Sequence, residues 1–247
     1  MSESLILTAR CLRLSRRQVD ALITALLLPV LLMVVFVVLF GGAIHTGTKY
    51  VTYVVPGVLL LCAGYSSSLT AVAVCQDMTS GCIDRLRSMN VRGASLLVGH
   101  VAASAARNLA SGVLVVAVAL ALGFHPHAGV LGWLAAAGVL LAFIVAISGL
   151  SVATGLLARS PEAASGFTFL VMFLPYASSA FVPVDTMPAW LRGFAAHQPI
   201  TPITETLRGL LLGTPVGSNA WVALIWCAGI LAVSIVAAGA LFARRIA

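Results

Sequence analysis

Charged residues are scarce in this sequence. Only 9% of its 247 residues are charged, and Lys49 is the only lysine. Because a soluble domain carries roughly a quarter charged residues, an ordinary soluble globular protein is excluded. A hydrophobic fraction of 61% also excludes an intrinsically disordered chain, and the repeats of collagen or coiled coils are missing. The mean hydropathy of +1.09 therefore indicates a protein of the lipid bilayer.

Motifs for metal binding and disulfide formation are also missing. No Cys-x-x-Cys or His-Glu-x-x-His spacing occurs, and His125-Pro126-His127 is a lone pair at a tight turn, so we expect no metal site. The five cysteines fall in predicted spans or on the predicted cytoplasmic side, where thiols stay reduced: Cys11, Cys62, Cys75, Cys82 and Cys227. On a membrane protein the net charge of +7 reflects loop topology, and we expect no nucleic-acid partner.

Six apolar stretches are long enough to cross a membrane. A helix needs about 20 apolar residues to cross roughly 30 Å of hydrocarbon at about 1.5 Å per residue. The predicted spans cover residues 21–40, 53–74, 98–122, 130–157, 163–182 and 220–243. Small residues allow close helix packing, which we expect in the fourth span of Gly132, Gly138, Gly149 and Gly155. The sequence thus predicts an all-α integral membrane protein.

Basic residues decide the predicted orientation. Cytoplasmic flanks accumulate Lys and Arg. With the N-terminus inside, ten basic residues fall in inner segments and three in outer ones. The inner ten are Arg10, Arg13, Arg16, Arg17, Arg85, Arg87, Arg92, Arg159, Arg244 and Arg245, and the outer three are Lys49, Arg192 and Arg208. We therefore expect both termini to be cytoplasmic.

The N-terminal segment, residues 1–20, contains an amphipathic pattern over residues 4–18. Three arginines recur at i, i+3 and i+7 on one face of the predicted helix, namely Arg10, Arg13 and Arg17. Another face carries an apolar strip of Leu5, Ala9 and Leu12. Such a helix lies along the inner membrane surface. A charged anchor that only sets topology is the alternative.

The segment between the second and third spans predicts a short cytoplasmic helix. Apolar residues recur on one stripe at i, i+4, i+8 and i+11, namely Met78, Cys82, Leu86 and Met89. Other faces carry charge, and Asp84 and Arg87 are spaced for an i, i+3 pair. A helix of this kind suits a groove in a soluble partner, and lying on the membrane surface is the alternative.

Two short helices are predicted between the fifth and sixth spans, over residues 183–219. Asp185 or Thr186 can cap the first helix, with Pro188 in its opening turn, and Thr201 with Pro202 opens the second helix. Gly213 and Pro215 end the second helix. Each helix would have about ten residues, roughly 15 Å, and could not span the bilayer. We expect a re-entrant hairpin in the outer leaflet, with its backbone ends protected by protein.

Two other classes of membrane protein stay open at this point. An intramembrane serine protease needs a serine that faces a buried histidine. Serines occur within the predicted spans: Ser66, Ser67, Ser68, Ser148 and Ser151. All five histidines fall at or near span ends or in loops, so we expect none to be a buried base: His45, His100, His125, His127 and His197. An ion-driven carrier needs intramembrane acidic residues or an inverted repeat, and neither is evident.

Two stretches resemble those of known permeases. Asp77-Met-Thr-Ser-Gly81-Cys-Ile-Asp84-Arg85-Leu86-Arg87-Ser88 resembles the inner-loop motif of ABC-2 type transporter permeases. Phe181-Val-Pro-Val-Asp185-Thr-Met-Pro188-Ala-Trp190-Leu-Arg192, then Gln198-Pro199-Ile-Thr201 and Arg208-Gly209, resembles the signature before that family's last span. The likeness extends to the daunorubicin-resistance type of drug-efflux permease.

The resemblance implies one ABC-2 type transmembrane domain over residues 1–247. Its parts would be an interfacial helix at 1–20, five spans over 21–182 with a coupling helix at 77–90, the outer hairpin at 183–219, and the sixth span with a cytoplasmic tail at 220–247. The implied protein is the permease subunit of an ATP-binding cassette exporter for a lipophilic drug, antibiotic or lipid. It would lie in a bacterial cytoplasmic membrane among lipids, as a homodimer with a second permease copy.

The energy source would be a separate ABC ATPase subunit. The 247 residues contain no Gly-x-x-x-x-Gly-Lys-Ser/Thr phosphate loop, so we expect ATP and Mg²⁺ to bind the partner subunit. On this chain we expect no cofactor and no catalytic residue.

The resemblance also implies roles for individual residues. The coupling helix would meet the ATPase through Asp77, Gly81, Asp84, Arg85, Leu86 and Arg87. A cavity between the second and fifth spans would contact substrate through Tyr65, Phe169, Phe173 and Tyr176. An outer gate would contain Asp185, Pro188, Trp190, Pro199 and Arg208.

Arg107 is the one charge at depth within a predicted span, where a charge is costly and usually paired or functional. We expect it to pair with Asp77 or Glu162 or to extend to the inner surface. Binding of an anionic substrate group is the alternative.

Overall fold

The computed structural model describes residues 3–17, 19–42, 49–80 and 93–246, and the regular elements within these ranges are all helical. The nine α-helices of these ranges, numbered in chain order, are α1 Glu3–Arg17, α2 Val19–Phe40, α3 Tyr50–Thr79, α4 Gly93–Ala121, α5 Val130–Leu157, α6 Pro161–Tyr176, α7 Ala189–His197, α8 Ile200–Leu212 and α9 Asn219–Ile246. A 3₁₀ turn, Val184–Thr186, precedes α7. The predicted all-α fold is confirmed.

Four of the described helices are long and apolar enough to cross a membrane. They are Tyr50–Thr79, Ser95–Ala121, Val130–Leu157 and Asn219–Arg244, with 26 to 30 residues each. At 1.5 Å per residue they reach roughly 39–45 Å, which exceeds the ~30 Å hydrocarbon core. Helix α2 adds 22 strongly apolar residues. The chain is therefore a multi-pass membrane protein.

The predicted fifth span is shorter in the structure. Helix α6 has 16 residues, about 24 Å, and ends at Tyr176, whereas the predicted span ran over 163–182. Pro175 occupies its last turn and has no N–H to donate within the helix. Residues 177–182 form turns and a bend. The predicted boundary was wrong because apolar composition does not distinguish a helix from a buried turn.

Helix α3 is the centre of the bundle. It is buried along most of its length against α2, α4, α5, α6 and α8. Glycines bring α6 and the turn after it close: a Cβ built on Gly57 would lie 2.6 Å from Ala180, and one on Gly64 would lie 2.7 Å from Val171. Helices in lipid have no hydrophobic force driving them together, so close van der Waals contact of this kind stabilises their packing.

Three of the four glycines predicted to pack closely in α5 do so. They bring α5 against α8, α9 and α3 in turn: Gly132 meets Leu210, Gly149 meets Ser234 and Gly155 meets Ala71. The prediction was wrong for Gly138, because nothing lies within 4 Å of a Cβ built there. Small size permits close approach, but the direction of each residue decides whether a neighbour uses it.

Helix α1 packs on α4 through a different strip from the predicted one. Leu7 and Cys11 are buried and meet Leu96 at the start of α4. The predicted strip varies along its length: Ala9 is exposed, Leu12 is partly buried, and the side chain of Leu5 lies outside the described part of the chain. The helical wheel misplaced the strip because Arg10 also faces protein, where it binds Asp77.

Replacing Gly155 with alanine should destabilise the bundle. The new Cβ would lie 3.0 Å from Cβ of Val74 and would overlap the carbonyl oxygen of Ala71, so α3 and α5 must separate. Overpacking of this kind costs about 1–3 kcal/mol. We expect a lower midpoint of thermal unfolding in detergent. Gly138→Ala in the same helix is the matched control, and an equal loss in both variants would contradict the close α3–α5 contact.

Candidate functional site

Polar side chains bind α3 at both of its ends as well as in its middle. We call one of the ends the hairpin end, where α8 and the turn after α6 bind Tyr50 and Tyr53 of α3. We call the other the α1 end, where Arg10 of α1 binds Asp77 in the last turns of α3. The length of α3, 30 residues or roughly 45 Å, separates the two ends.

Two tyrosines of α3 hold the turn that follows α6. The phenolic O–H of Tyr50 donates to the carbonyl oxygen of Phe181 at 3.1 Å, and that of Tyr53 donates to the carbonyl oxygen of Ser179 at 2.9 Å. Both tyrosines are buried, and both lie in the first turn of their helix. The turn is therefore bonded to the start of α3.

Gln198 covers the carbonyl end of α6. Its Nε2 donates to the carbonyl oxygens of Leu174 at 3.1 Å and Ala177 at 2.6 Å. The last carbonyls of a helix have no partner within the helix, and an unpaired one in hydrocarbon costs several kcal/mol. Gln198 is buried and lies between α7 and α8. The hairpin itself thus supplies the cap of α6.

Arg208 is the buried charge of the hairpin end, with 9% of its surface exposed. Its Nη2 donates to the carbonyl oxygens of Tyr53 at 3.1 Å and Ser179 at 2.9 Å. The guanidinium lies 3.7 Å from the centroid of the Tyr53 ring, and Nη1 pairs with Glu205. A planar guanidinium suits several simultaneous contacts and an aromatic face. Arg208 therefore joins α8 to α3 and to the turn after α6.

The five predicted gate residues occupy different environments at the hairpin end. Arg208 lies within the hydrogen bonds described above, and Pro199 lies partly exposed in the connection between α7 and α8. Asp185, Pro188 and Trp190 are exposed, Trp190 to 81%. An exposed tryptophan beside a short apolar helix suits the membrane interface.

Both helices of the hairpin are present; the predicted start of the first was wrong in detail, whereas the second begins at Ile200 with Thr201 and Pro202 in its first turn. Neither Asp185 nor Thr186 caps α7, which Pro188 precedes without a side-chain cap. The hydroxyl of Thr201 accepts a hydrogen bond from the turn after α6, so tertiary structure engages the group expected to cap α8. Gly213 ends α8 at φ +70°, as predicted for a glycine at this position.

Three of the four predicted substrate contacts share one face of α6, which we call the aromatic face. Phe169, Phe173 and Tyr176 recur there at i, i+4 and i+7 and are exposed, the two phenylalanines to 67% each. Tyr65 lies on a partly exposed stripe of the neighbouring α3. Tyr176 also stacks on Phe181, with ring centroids 5.1 Å apart. In a single chain the aromatic face is open.

Asp77 joins three helices at the α1 end. Its Oδ1 and Oδ2 accept hydrogen bonds from Nη2 and Nη1 of Arg10 on α1, at 3.1 and 3.2 Å. Nε2 of His100 on α4 lies 2.9 Å from Oδ2. The side chains of His100 and Asp77 are 8% and 16% exposed, so the group is largely shielded from water. We call Arg10, Asp77 and His100 the clasp.

The clasp corrects two expectations. Asp77 belongs to α3, which continues to Thr79, and does not begin a separate coupling helix. His100 was expected at or near the end of a span, and the structure buries it against a carboxylate from another helix. The other predicted coupling residues lie outside the described part of the chain: Gly81, Asp84, Arg85, Leu86 and Arg87.

Arg107 binds α3 through a carbonyl and a hydroxyl group. Its Nη2 donates to the carbonyl oxygen of Ser66 at 3.3 Å and to Oγ1 of Thr70 at 3.0 Å. Of the two carboxylates expected as partners, Asp77 is held by the clasp and Glu162 is exposed at the start of α6. The guanidinium thus fastens α4 to the middle of α3.

A buried network of hydroxyl and amide groups joins α3, α4 and α5. Asn108 donates from Nδ2 to Oγ of Ser67 at 3.0 Å, and Ser148 Oγ lies 3.1 Å from Ser67 Oγ and 2.9 Å from Ser104 Oγ. All four side chains are buried. Ser67 and Ser148, which a protease reading would need as nucleophiles, therefore connect helices.

Four groups that organise these networks were missed in the sequence: Arg10, Tyr53, His100 and Gln198. Arg10 was read as part of a basic helix face, and Gln198 lay in a recognised motif without an assigned role. A polar residue in an apolar helix needs a partner, and that signal was available for His100. The partner itself could not be identified, because Asp77 is distant in sequence.

The fold defines a multi-pass α-helical membrane protein with polar networks at both ends of its central helix. The family model of the ABC-2 type transporter matches residues 3–212. The chain belongs to this family and is a membrane permease subunit. The resemblance of its two motifs is thereby confirmed.

Two relatives illustrate the similarity. The daunorubicin resistance ABC transporter permease protein DrrB1 of Streptomyces coeruleorubidus is 30% identical over 217 residues, which are 86% of this chain and 76% of that protein. The probable doxorubicin resistance ABC transporter permease protein DrrC of Mycobacterium tuberculosis is 27% identical over 235 residues, which are 94% of this chain and 85% of that protein. In both cases the similarity covers most of the chain.

Replacing Arg208 with methionine should destabilise the hairpin end. The carbonyls of Tyr53 and Ser179 would lose a charged donor, and such hydrogen bonds contribute about 1.5–3 kcal/mol each. We expect the free energy of unfolding to fall by about 2–4 kcal/mol, measured by thermal unfolding in detergent.

The matched control is Arg192→Met in the same hairpin. Arg192 is exposed and donates to the carbonyl oxygen of Met187. We expect a loss below about 1 kcal/mol there, since exposed charges contribute little. Similar losses for both arginines would contradict the role of Arg208 in this network.

Proposed function

We propose that this permease is the membrane subunit of an ATP-binding cassette exporter that moves a lipophilic drug, antibiotic or lipid out of the cell. The observation that carries the proposal is the family match over residues 3–212, together with relatives named for daunorubicin and doxorubicin resistance. The bilayer itself is the compartment from which such substrates are most easily captured, because they partition into it. The cargo would therefore enter from the membrane or the cytoplasmic surface.

A separate ATPase subunit supplies the energy in this proposal. The sequence has no phosphate loop, and its only lysine, Lys49, precedes α3 at the hairpin end. ATP and Mg²⁺ would bind the partner, which would seat the predicted coupling helix in a groove. Asp84, Arg85 and Arg87 are the charged residues that would contact it.

The substrate pathway runs along the aromatic face of α6 beside Tyr65. Phe169 and Phe173 project from one chain without a covering neighbour, and two copies that meet at this face would enclose a cavity between them. Large apolar faces mark sites of interaction, and aromatic rings offer broad contact to planar lipophilic molecules. The proposal therefore includes a homodimer.

The α1 end faces the cytoplasm in this proposal, and the protein lies in a bacterial cytoplasmic membrane. The excess of arginine in the predicted inner segments supports this orientation. The chain then crosses six times, with α6 and the turn after it together forming the fifth crossing. Because that turn is bonded to Gln198 and Arg208, the hairpin shields backbone groups that lipid could not satisfy.

Transport follows an alternating-access cycle between two packings of the same helices. Closure of the ATPase pair would displace the coupling helices and narrow the cavity from the cytoplasmic side. Substrate would leave past the hairpin end, where Asp185, Pro188, Trp190, Pro199 and Arg208 form the gate. ATP hydrolysis on the partner subunit drives the cycle, and this chain responds through the difference in stability between its two packings.

Co-purification with its ATPase subunit tests this proposal. The intact chain, expressed with the ABC ATPase encoded beside it, should retain that subunit in mild detergent. The double variant Arg85→Glu, Arg87→Glu should lose most of it, because two favourable charges on the coupling helix become repulsive. Bound ATPase is quantified after size-exclusion chromatography.

The control is Arg244→Glu, an exposed charge near the end of α9. It should retain the ATPase, and the thermal unfolding midpoint of each variant shows that the membrane part is folded. If the intact chain purifies alone and recruits no ATPase, the exporter proposal fails and an intramembrane enzyme or an ATPase-independent carrier must be reconsidered.

The double variant Phe169→Ala, Phe173→Ala should reduce export of daunorubicin from cells about tenfold, since two aromatic contacts contribute roughly 1.4 kcal/mol or more. The measurement is the efflux rate of the fluorescent drug. Trp221→Ala, Ile225→Ala is the matched control, because these residues are also spaced i, i+4 and exposed, to 72% and 69%, on α9. Equal efflux from both variants would remove the aromatic face from the pathway.

A further inference from the structure

We propose that the clasp of Arg10, Asp77 and His100 is a positioning device, which makes α1, α3 and α4 move together when the ATPase displaces the segment between α3 and α4. The inference rests on the proposed function, because it needs an ATPase partner at that segment. It assigns His100 and Arg10 as positioning residues of the coupling step, and α1 then moves with α3 and α4 during the transport cycle.

The clasp lies beside the segment that joins α3 to α4. Helix α3 ends at Thr79 and α4 begins at Gly93, and the predicted coupling residues other than Asp77 lie in the segment between these helices. Asp77 lies in the last turn on one side and His100 in the second turn on the other, 2.9 Å apart. A force applied to the segment therefore reaches a direct bond between its two flanking helices.

The clasp is held by several charged hydrogen bonds. Both carboxylate oxygens of Asp77 are engaged, by two nitrogens of Arg10 and by Nε2 of His100. The side chains of Asp77 and His100 are 16% and 8% exposed and that of Arg10 is 32% exposed, so little water reaches the carboxylate to replace a lost partner. Moving one helix alone would break a charge-assisted hydrogen bond in this shielded site, so the three groups are expected to shift as one unit.

Helix α1 also packs directly against α4, apart from its ion pair with Asp77. Leu7 and Cys11 are buried against Leu96, and a Cβ on Gly99 would lie 3.2 Å from the backbone of Leu7. Interfaces packed this closely are bistable and do not deform continuously. Movement of α4 therefore carries α1 with it, and the clasp fixes their relation to α3.

Further hydrogen bonds join α3 and α4 between the clasp and the centre of the bundle. Arg107 binds the carbonyl oxygen of Ser66 and the hydroxyl of Thr70, and Asn108 binds Ser67. These bonds continue the same α3–α4 contact beyond the clasp. Ser66 is the residue next to Tyr65, the predicted substrate contact on α3. A displacement of the clasp is thereby communicated to the proposed substrate pathway.

The test separates assembly from coupling. The permease is purified with its ATPase subunit in lipid nanodiscs, and a fluorescent probe is attached to Gly193→Cys on α7 in a Cys82→Ser background. A Cβ on Gly193 has no neighbour within 4 Å, and the four described cysteines are buried. When the clasp residues are unaltered, adding Mg²⁺ and ATP should change the fluorescence of this probe at the hairpin end.

Arg10→Met and His100→Leu should each retain the ATPase subunit and its hydrolysis but reduce the ATP-induced fluorescence change at least fivefold, or roughly 1 kcal/mol of coupling. Arg13→Met and His125→Leu are the matched controls, because both residues are exposed and bond to backbone carbonyls near their own position. Arg10→Lys keeps the charge beside Asp77 and should restore more than half of the signal. Recovery by lysine would not follow from a role in packing alone.

Each other outcome has a defined meaning. If Arg10→Met and His100→Leu keep the full fluorescence change, the clasp does not couple the ends and the inference is overturned. If they lose the ATPase subunit or unfold, the clasp serves assembly and the inference is likewise overturned. If the chain with its clasp intact binds no ATPase, the proposed function itself fails, and that result is distinguishable because no variant is needed to observe it.

Discussion

Hydrocarbon offers no partner to a backbone carbonyl or N–H, and much of this structure follows from that constraint. It explains why the described elements that cross the bilayer are helices. It also explains the hairpin end, where α6 stops at Tyr176 and its last carbonyls would be unpaired. Gln198 from the hairpin donates to the carbonyl end of α6, and Arg208 with Tyr53 of α3 donates to the carbonyl oxygen of Ser179 in the turn that follows. The hairpin is thus part of the fold of α6 as well as a candidate gate.

Helix α3 connects the two polar regions of the molecule. Its first turn binds the chain after α6 and the guanidinium of Arg208, and its last turns carry Asp77 of the clasp. Between them it is buried against five helices, with glycines at close contacts and Arg107 bonded to its middle. A helix held in this way resists bending, since bending would break packing on several sides at once.

Most helices of the fold were predictable because lipid imposes a simple requirement on sequence. Long apolar stretches located α2, α3, α4, α5 and α9, and proline with glycine located the two short helices of the hairpin. The errors share one cause. The end of the fifth span, the apolar strip of α1, the contact expected of Gly138 and the partners of Arg107 all depend on what faces the residue. The predicted span 163–182 and the helix 161–176 differ at their ends, where Gln198 binds the carbonyl oxygens of Leu174 and Ala177.

By itself, the sequence determined that this is an all-helical membrane protein of the ABC-2 family, because hydropathy, helix breakers and motifs are local properties of the chain. Tertiary structure alone decided which polar groups meet. Arg10 and Asp77 are separated by 67 positions, and Tyr53 and Arg208 by 155. No local pattern selects one partner over another at such distances, since the choice depends on how every intervening helix packs. The candidate gate network and the clasp therefore became visible only when the helices were assembled.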